Sequence, residues 1–462
     1  MPGMNAGIKI NNTINDALDD EYLGSSAISK YILDYLSELG VKSFLVEENY
    51  IDKDYLIDFS KFYSRSFGDC KKFTKRIHFF SENFERQEIA NALENENSEA
   101  NTRIEESYLG FAVVRPIKDR LGNNIIGRTL LKPYNEFVDG SEGTKRILLT
   151  DQYAVNIFGK QLELETLPFQ TQDQAVGACA TTACWIAQCA LTNIFGIEKI
   201  SPIEITEISV AFPALSRNIP SDGLTYPQIK AFFNTVGLDT EFIDPNVIRS
   251  KPYYRNTGSD IVADIAKGYL TDLKIPIIVG LRIVDENNNV VAMHAAVISG
   301  YRHKNGVVER LYVHDDQIGP YSRVFPVRDF LSWDNTWSKK PGIKELTVNR
   351  LIVPLYPKIR HSFANIYAIF LQHYKPRLEA IRASPGFDSG VRFELFITEV
   401  KRYKQFIRKH SIKDKIAILS KPYPRFLWII RLQSPTKIYA DFVFDATSVF
   451  TTEPFDHIRY TT

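Results

Sequence analysis

The sequence predicts an α+β protein in which one long helix precedes a group of antiparallel strands. Two observations carry this. From Phe169 to Ile197 (FQTQDQAVGACATTACWIAQCALTNIFGI), Ala180, Ala183, Ala187, Ala190 and Ile194 recur at three- and four-residue steps, the period of a helix with a narrow face of small side chains. Downstream, IPIIVGLRI (275–283), VVAMHAAVISGY (290–301), 310–314 and LTVNRLIVPL (346–355) are short apolar runs, the first three separated by polar turns at 284–289 and 304–306, as expected of buried strands.

The remaining elements follow in order. SSAISKYILDYLSEL (25–39) has a helical period, Ser25 or Ser26 as cap and Gly40 as stop. Residues 41–63 alternate enough for one or two strands, and 84–93 for a helix. Polar 94–101 reads as a loop or boundary. Residues 108–116 and 125–131 flank the turn-rich KDRLGNN and form a hairpin, followed by short strands at 146–149, 154–158 and 161–164. After Ile197 comes a connection rich in proline and isoleucine, then helices at 224–237 and 261–273. The C-terminal part carries helices at 362–381 and 398–410 and a hairpin of 425–432 with 437–444 across QSPT. These elements divide into a mixed α/β region (1–105), a core with a preceding β-rich segment (106–357) and a C-terminal α/β region (358–462).

Composition narrows the function classes. With 462 residues there is room for about two or three domains. The net charge of +1 gives no reason to expect a nucleic-acid partner. Two basic clusters, Lys71, Lys72, Lys75 and Arg76, and Lys401, Arg402, Lys404, Arg408 and Lys409, read as solvated faces. Four cysteines are too few for a disulfide framework, and Cys179, Cys184 and Cys189 share one helix, so a reducing, cytoplasmic setting is expected. The first residues contain no apolar core of a signal peptide, and no apolar run reaches the roughly 20 residues of a membrane span.

Cys179 stands where the polar segment becomes helix. In the first helical turn, free N–H groups and the helix dipole favour a thiolate; the competing reading is a small buried residue. His294 is the one histidine in the middle of an apolar strand candidate, and Asp315 and Asp316 follow the next strand directly. A carboxylate there would orient the imidazole and leave its other nitrogen for the thiol.

QDQAVGAC, AMHAAVISGY and LYVHDDQIGPY, in that order, resemble the papain-like cysteine peptidase superfamily, nearest in pattern to bacterial peptidases that trim double-glycine leaders. The likeness covers about Phe169 to Val324. It implies a papain-like core, with Cys179 as nucleophile, His294 as general base and acid, Asp315 as orienting residue (Asp316 the alternate), and a glutamine donating to the oxyanion. Gln174 lies five residues before Cys179 and Gln172 seven, against the family's usual six; Gln174 is preferred and Gln172 is the alternate. Ala180 follows the cysteine where papain has tryptophan. Cys184 precedes Trp185, but lies more than a turn into the helix, where backbone donors are already used.

The implied reaction is hydrolysis of a peptide or isopeptide bond in a peptide or protein substrate, with no metal or organic cofactor. The same triad would serve a transglutaminase- or amidase-type acyl transferase. A non-catalytic peptide-binding module on the same fold is the reading from another class.

Overall fold

The structure, a computed structural model, describes residues 8–11, 18, 22–66, 68, 70–96, 98–135, 144–173, 175–210, 212–213, 223–388, 390–449 and 451–461. It has the expected mixed α+β architecture, with helices packed against antiparallel sheets. Two compact units divide the chain. The first comprises Met1–Phe137, Thr150–Thr235 and His314–Ser322; the second comprises Val138–Leu149, Val236–Val313 and Arg323–Thr462.

In the first unit, β1 (Ile8–Asn11), β2 (Ser43–Tyr50), β3 (Thr74–Phe80), β4 (Tyr108–Lys118) and β5 (Asn124–Leu131) form one sheet in sequence order, every neighbour antiparallel. Helix α1 (Ala27–Glu38) is capped by Ser26, whose Oγ accepts from the Ser29 N–H at 3.1 Å, and the chain turns at Gly40 with φ +72°. The segment expected to hold one or two strands contains β2 and then helix α2 (Lys53–Lys61), started by the Asp52 carboxylate. The first basic cluster is not a uniform solvated face. Lys71 and Lys72 are exposed, but Arg76 sits on β3 and is buried, its guanidinium 4.0 Å above the Tyr50 ring beside Glu47.

Helices α3 (Arg86–Glu94) and α4 (Glu99–Ser107) supply Ile89, Ala92 and Ile104 to a core with Leu45, Phe80, Phe111 and Val113. Burial of each large apolar side chain there contributes about 1.5–3 kcal/mol. Strand β6 (Thr144–Leu148) belongs to the second unit, whereas the hairpin of β7 (Asp151–Ile157) and β8 (Lys160–Thr166) adds Val155, Ile157, Leu162 and Leu164 to this core. Helix α5 (Cys179–Phe195) is buried along nearly its whole length and ends at Gly196, φ +71°. Helix α6 (Pro202–Ser209) follows it, started by a capping box between Ser201 and Glu204.

The second sheet draws on β9 (Asp239–Ile243), β10 (Ile277–Asp285), β11 (Val290–Lys304), β12 (Val307–Asp315), β13 (Gly319–Pro326), β14 (Trp333–Asp334) and β15 (Ile343–Leu355), in the order β14-β13-β12-β11-β10-β15-β9, with β6 also paired to β11. The four expected runs are β10, β11, β12 and β15. Strands β16 (Arg392–Glu399), β17 (Phe426–Gln433), β18 (Ile438–Asp445) and β19 (Asp456–Arg459) make a third antiparallel sheet, covered by helix α7 (Val400–Lys409) through Tyr403 and Ile407.

Candidate functional site

The turn leading into α5 is organised by an aspartate. Asp173 Oδ1 accepts from the backbone N–H groups of Ala175, Val176 and Gly177 at 3.1, 3.0 and 2.9 Å, and Oδ2 accepts from the Tyr63 hydroxyl at 2.8 Å. Arg115 Nη1 lies 3.8 Å from Asp173 and 3.4 Å from Asp58, all three buried. Asp58 in turn accepts from the Ile203 N–H at the start of α6. Sequence reasoning missed Asp173 and Arg115. The available signal was an aspartate just ahead of a glycine turn, since Asx side chains bind the backbone two to four residues on.

Cys179 is the first residue of α5, after Ala178 as N-cap, and is half-buried. Cys184 and Cys189 are fully enclosed by the helix packing. Burial pushes both thiols up, Cys189 to about 11, which disfavours the thiolate form. Trp185 is also buried and donates to Asp54 Oδ2 at 3.0 Å. Gln172 is half-buried in the preceding segment; Gln174 lies outside the described residues.

On β11 the residues Val290–Met293 are exposed, and His294 is the first buried position, opposite Leu281 of β10. Its ring centroid is 5.3 Å from that of Trp337. Asp315 ends β12 and Asp316 follows it, both buried. The Asp315 carboxylate accepts from the Gln317 N–H at 2.9 Å, and its carbonyl accepts from the Ile318 N–H at 3.0 Å. Next to them, the His314 ring is clamped within the first unit. Nε2 donates to the Leu167 carbonyl at 3.2 Å, and Nδ1 accepts from the Tyr321 N–H at 3.4 Å. Burial lowers His314 to about 3, so the ring is neutral and acts as a strut.

The ligating atoms of His294, Asp315 and Asp316 all lie within 4.8 Å of one another. One imidazole and two carboxylates are a donor set that divalent cations accept. No cysteine belongs to this group. The expected Cys–His–Asp triad is therefore corrected. Among the described residues the compact cluster around His294 is His/Asp/Asp, so the readings as cysteine peptidase, thiol hydrolase and catalytic-triad enzyme do not stand. Motif order along the chain suggested a thiol partner for His294. Instead, the close of β12 places two successive carboxylates, Asp315 and Asp316, beside that ring.

The first unit also contains a cavity of about 800 Å³, lined in part by Glu48, Phe59, Lys71, Phe73, Lys75 and Arg115. No family model and no curated protein matches the chain. Among the described residues, no helix is long and apolar enough to cross a membrane.

Proposed function

We propose that the chain is a non-catalytic peptide-binding module on a papain-like core. Binding a peptide does not require nucleophilic machinery, and the cavity that would hold it is lined by residues between Tyr22 and Asn124, ahead of the stretch Phe169–Val324 that resembles papain-like peptidases. The observation that carries the reading is the cavity of about 800 Å³ in the first unit, within the roughly 300–1,000 Å³ of ligand sites. The His/Asp/Asp composition of the cluster around His294 agrees with a role other than thiol catalysis.

The test is a library of immobilised synthetic peptides probed with the full chain and with Cys179→Ala. Both proteins are expected to retain the same peptides without cleaving them. The reading fails if the wild-type chain retains none, or if Cys179→Ala loses binding while its circular dichroism is unchanged.

A further inference from the structure

The cavity in the first unit has a charge pattern that specifies its ligand. Four cationic side chains line it, Lys71, Lys72, Lys75 and Arg115, against one carboxylate, Glu48. Two of the cations are already engaged. Arg115 is buried between Asp58 and Asp173. Lys75 Nζ lies 3.3 Å from Glu48 Oε2 and 4.6 Å above the Tyr22 ring. Lys71 and Lys72 are exposed, and neither is in an ion pair among the described residues. Lys72 Nζ stands 5.2 Å from the centroid of the Phe73 ring, itself 39% exposed. The rim therefore offers two uncompensated positive charges beside open aromatic surface.

On this basis we infer that the cavity takes an acidic peptide segment in which carboxylates alternate with apolar side chains; the inference rests on the peptide-binding reading above. The carboxylates would meet Lys71 and Lys72, and the apolar side chains Phe59 and Phe73. Opposite charges steer the encounter and reject basic partners, an effect that salt weakens. A polyphosphate or nucleic-acid strand fits less well. None of the lining residues is a glycine able to bring backbone N–H groups onto a phosphate.

Cys70, half-buried and in the cavity lining, supplies a local reporter. The experiment uses the full chain carrying Cys179→Ala, so that Cys70 is the accessible thiol, and follows maleimide labelling by peptide mapping. The probes are a short peptide alternating glutamate with leucine and its glutamine analogue. The glutamate peptide is expected to bind and to slow labelling of Cys70, the glutamine analogue to bind about tenfold more weakly or worse, and added salt to narrow the gap. Lys71→Glu with Lys72→Glu, both at exposed positions, is expected to abolish the preference; Lys401→Glu with Arg408→Glu on α7 is expected to leave it intact.

Equal binding of the two peptides overturns the inference but leaves the module reading standing. Equal loss in both charge-reversed proteins, or equal protection of Cys70 by a single-stranded oligonucleotide, also overturns it. If neither probe nor any library peptide binds, the module reading itself falls.

Discussion

The Arg115 guanidinium lies 3.4 Å from the Asp58 carboxylate, with both side chains buried, and the same guanidinium is 3.8 Å from Asp173. One cation thus serves two carboxylates from different parts of the chain: Asp58 on α2 and Asp173 in the turn that starts α5. Removing it leaves both acids in a low-dielectric site. Arg115→Met is expected to destabilise the first unit by about 3–5 kcal/mol, the range for breaking a buried pair from one side. Urea unfolding measures the loss, and limited proteolysis near Ala175–Gly177 is expected to quicken with it. Unchanged stability would show that the pairing contributes nothing.

A single guanidinium cannot neutralise two buried acids, and the excess shows as a held proton. Burial raises the Asp58 carboxyl to about 8, by more than Arg115 pulls it down, and Asp173 adds to the rise. The folded chain therefore keeps a proton that the unfolded chain releases between about pH 4 and pH 8. Across that window stability falls as pH rises, by at most about 1.4 kcal/mol per pH unit from this group. Asp58→Asn is expected to flatten the fall. Urea midpoints at several pH values for the two proteins check it; parallel curves would refute the assignment.

The C-terminal sheet has a second buried pair with better geometry. Arg431 donates to both oxygens of Asp441, at 2.7 and 2.8 Å, and Asp441 Oδ2 also accepts from the hydroxyls of Tyr403 at 3.1 Å and Tyr460 at 2.6 Å. Asp441→Ala is expected to cost about 3–5 kcal/mol because it strands the guanidinium. Tyr403→Phe removes one hydrogen bond and is expected to cost about 1–2 kcal/mol. Thermal unfolding of the two variants, compared directly, tests the ordering.

Gly110 on β4 has φ +125°, and an added Cβ would run into the Leu130 carbonyl of β5. The two strands approach closely there because no side chain intervenes. Gly110→Ala is expected to cost upwards of about 2 kcal/mol, whereas Gly122→Ala, in the open turn of the same hairpin with φ +84°, pays only the backbone strain of about 1 kcal/mol. Denaturation midpoints of the two variants provide the comparison.

Local rules located the elements whose signals lie within a few residues. The cap at Ser26, the stop at Gly40, the small-residue spacing of α5 and the turns joining β4 to β5 and β17 to β18 are all short-range, and these elements formed as expected. Strand β3 was hidden by its charged residues. Lys75 and Arg76 are accommodated there by ion pairs with Glu48 and Glu47 of the neighbouring strand, partners that no local window links to them. Helix α4 was hidden because its stretch is polar even where it is buried: of Asn101, Ile104 and Ser107, only Ile104 is apolar.

By itself the sequence determined the α+β class, most of the helices, and the place of His294 inside an apolar strand, because periodicity and capping act over one or two turns. Only the tertiary structure decided which of those groups meet. It gathered His294 with Asp315 and Asp316, put Arg115 between Asp58 and Asp173, and left Lys71 and Lys72 facing a cavity. The reason is physical: a side chain's charge partners are set by which strands and turns pack together, and residues far apart in the chain carry no periodic signal of that association.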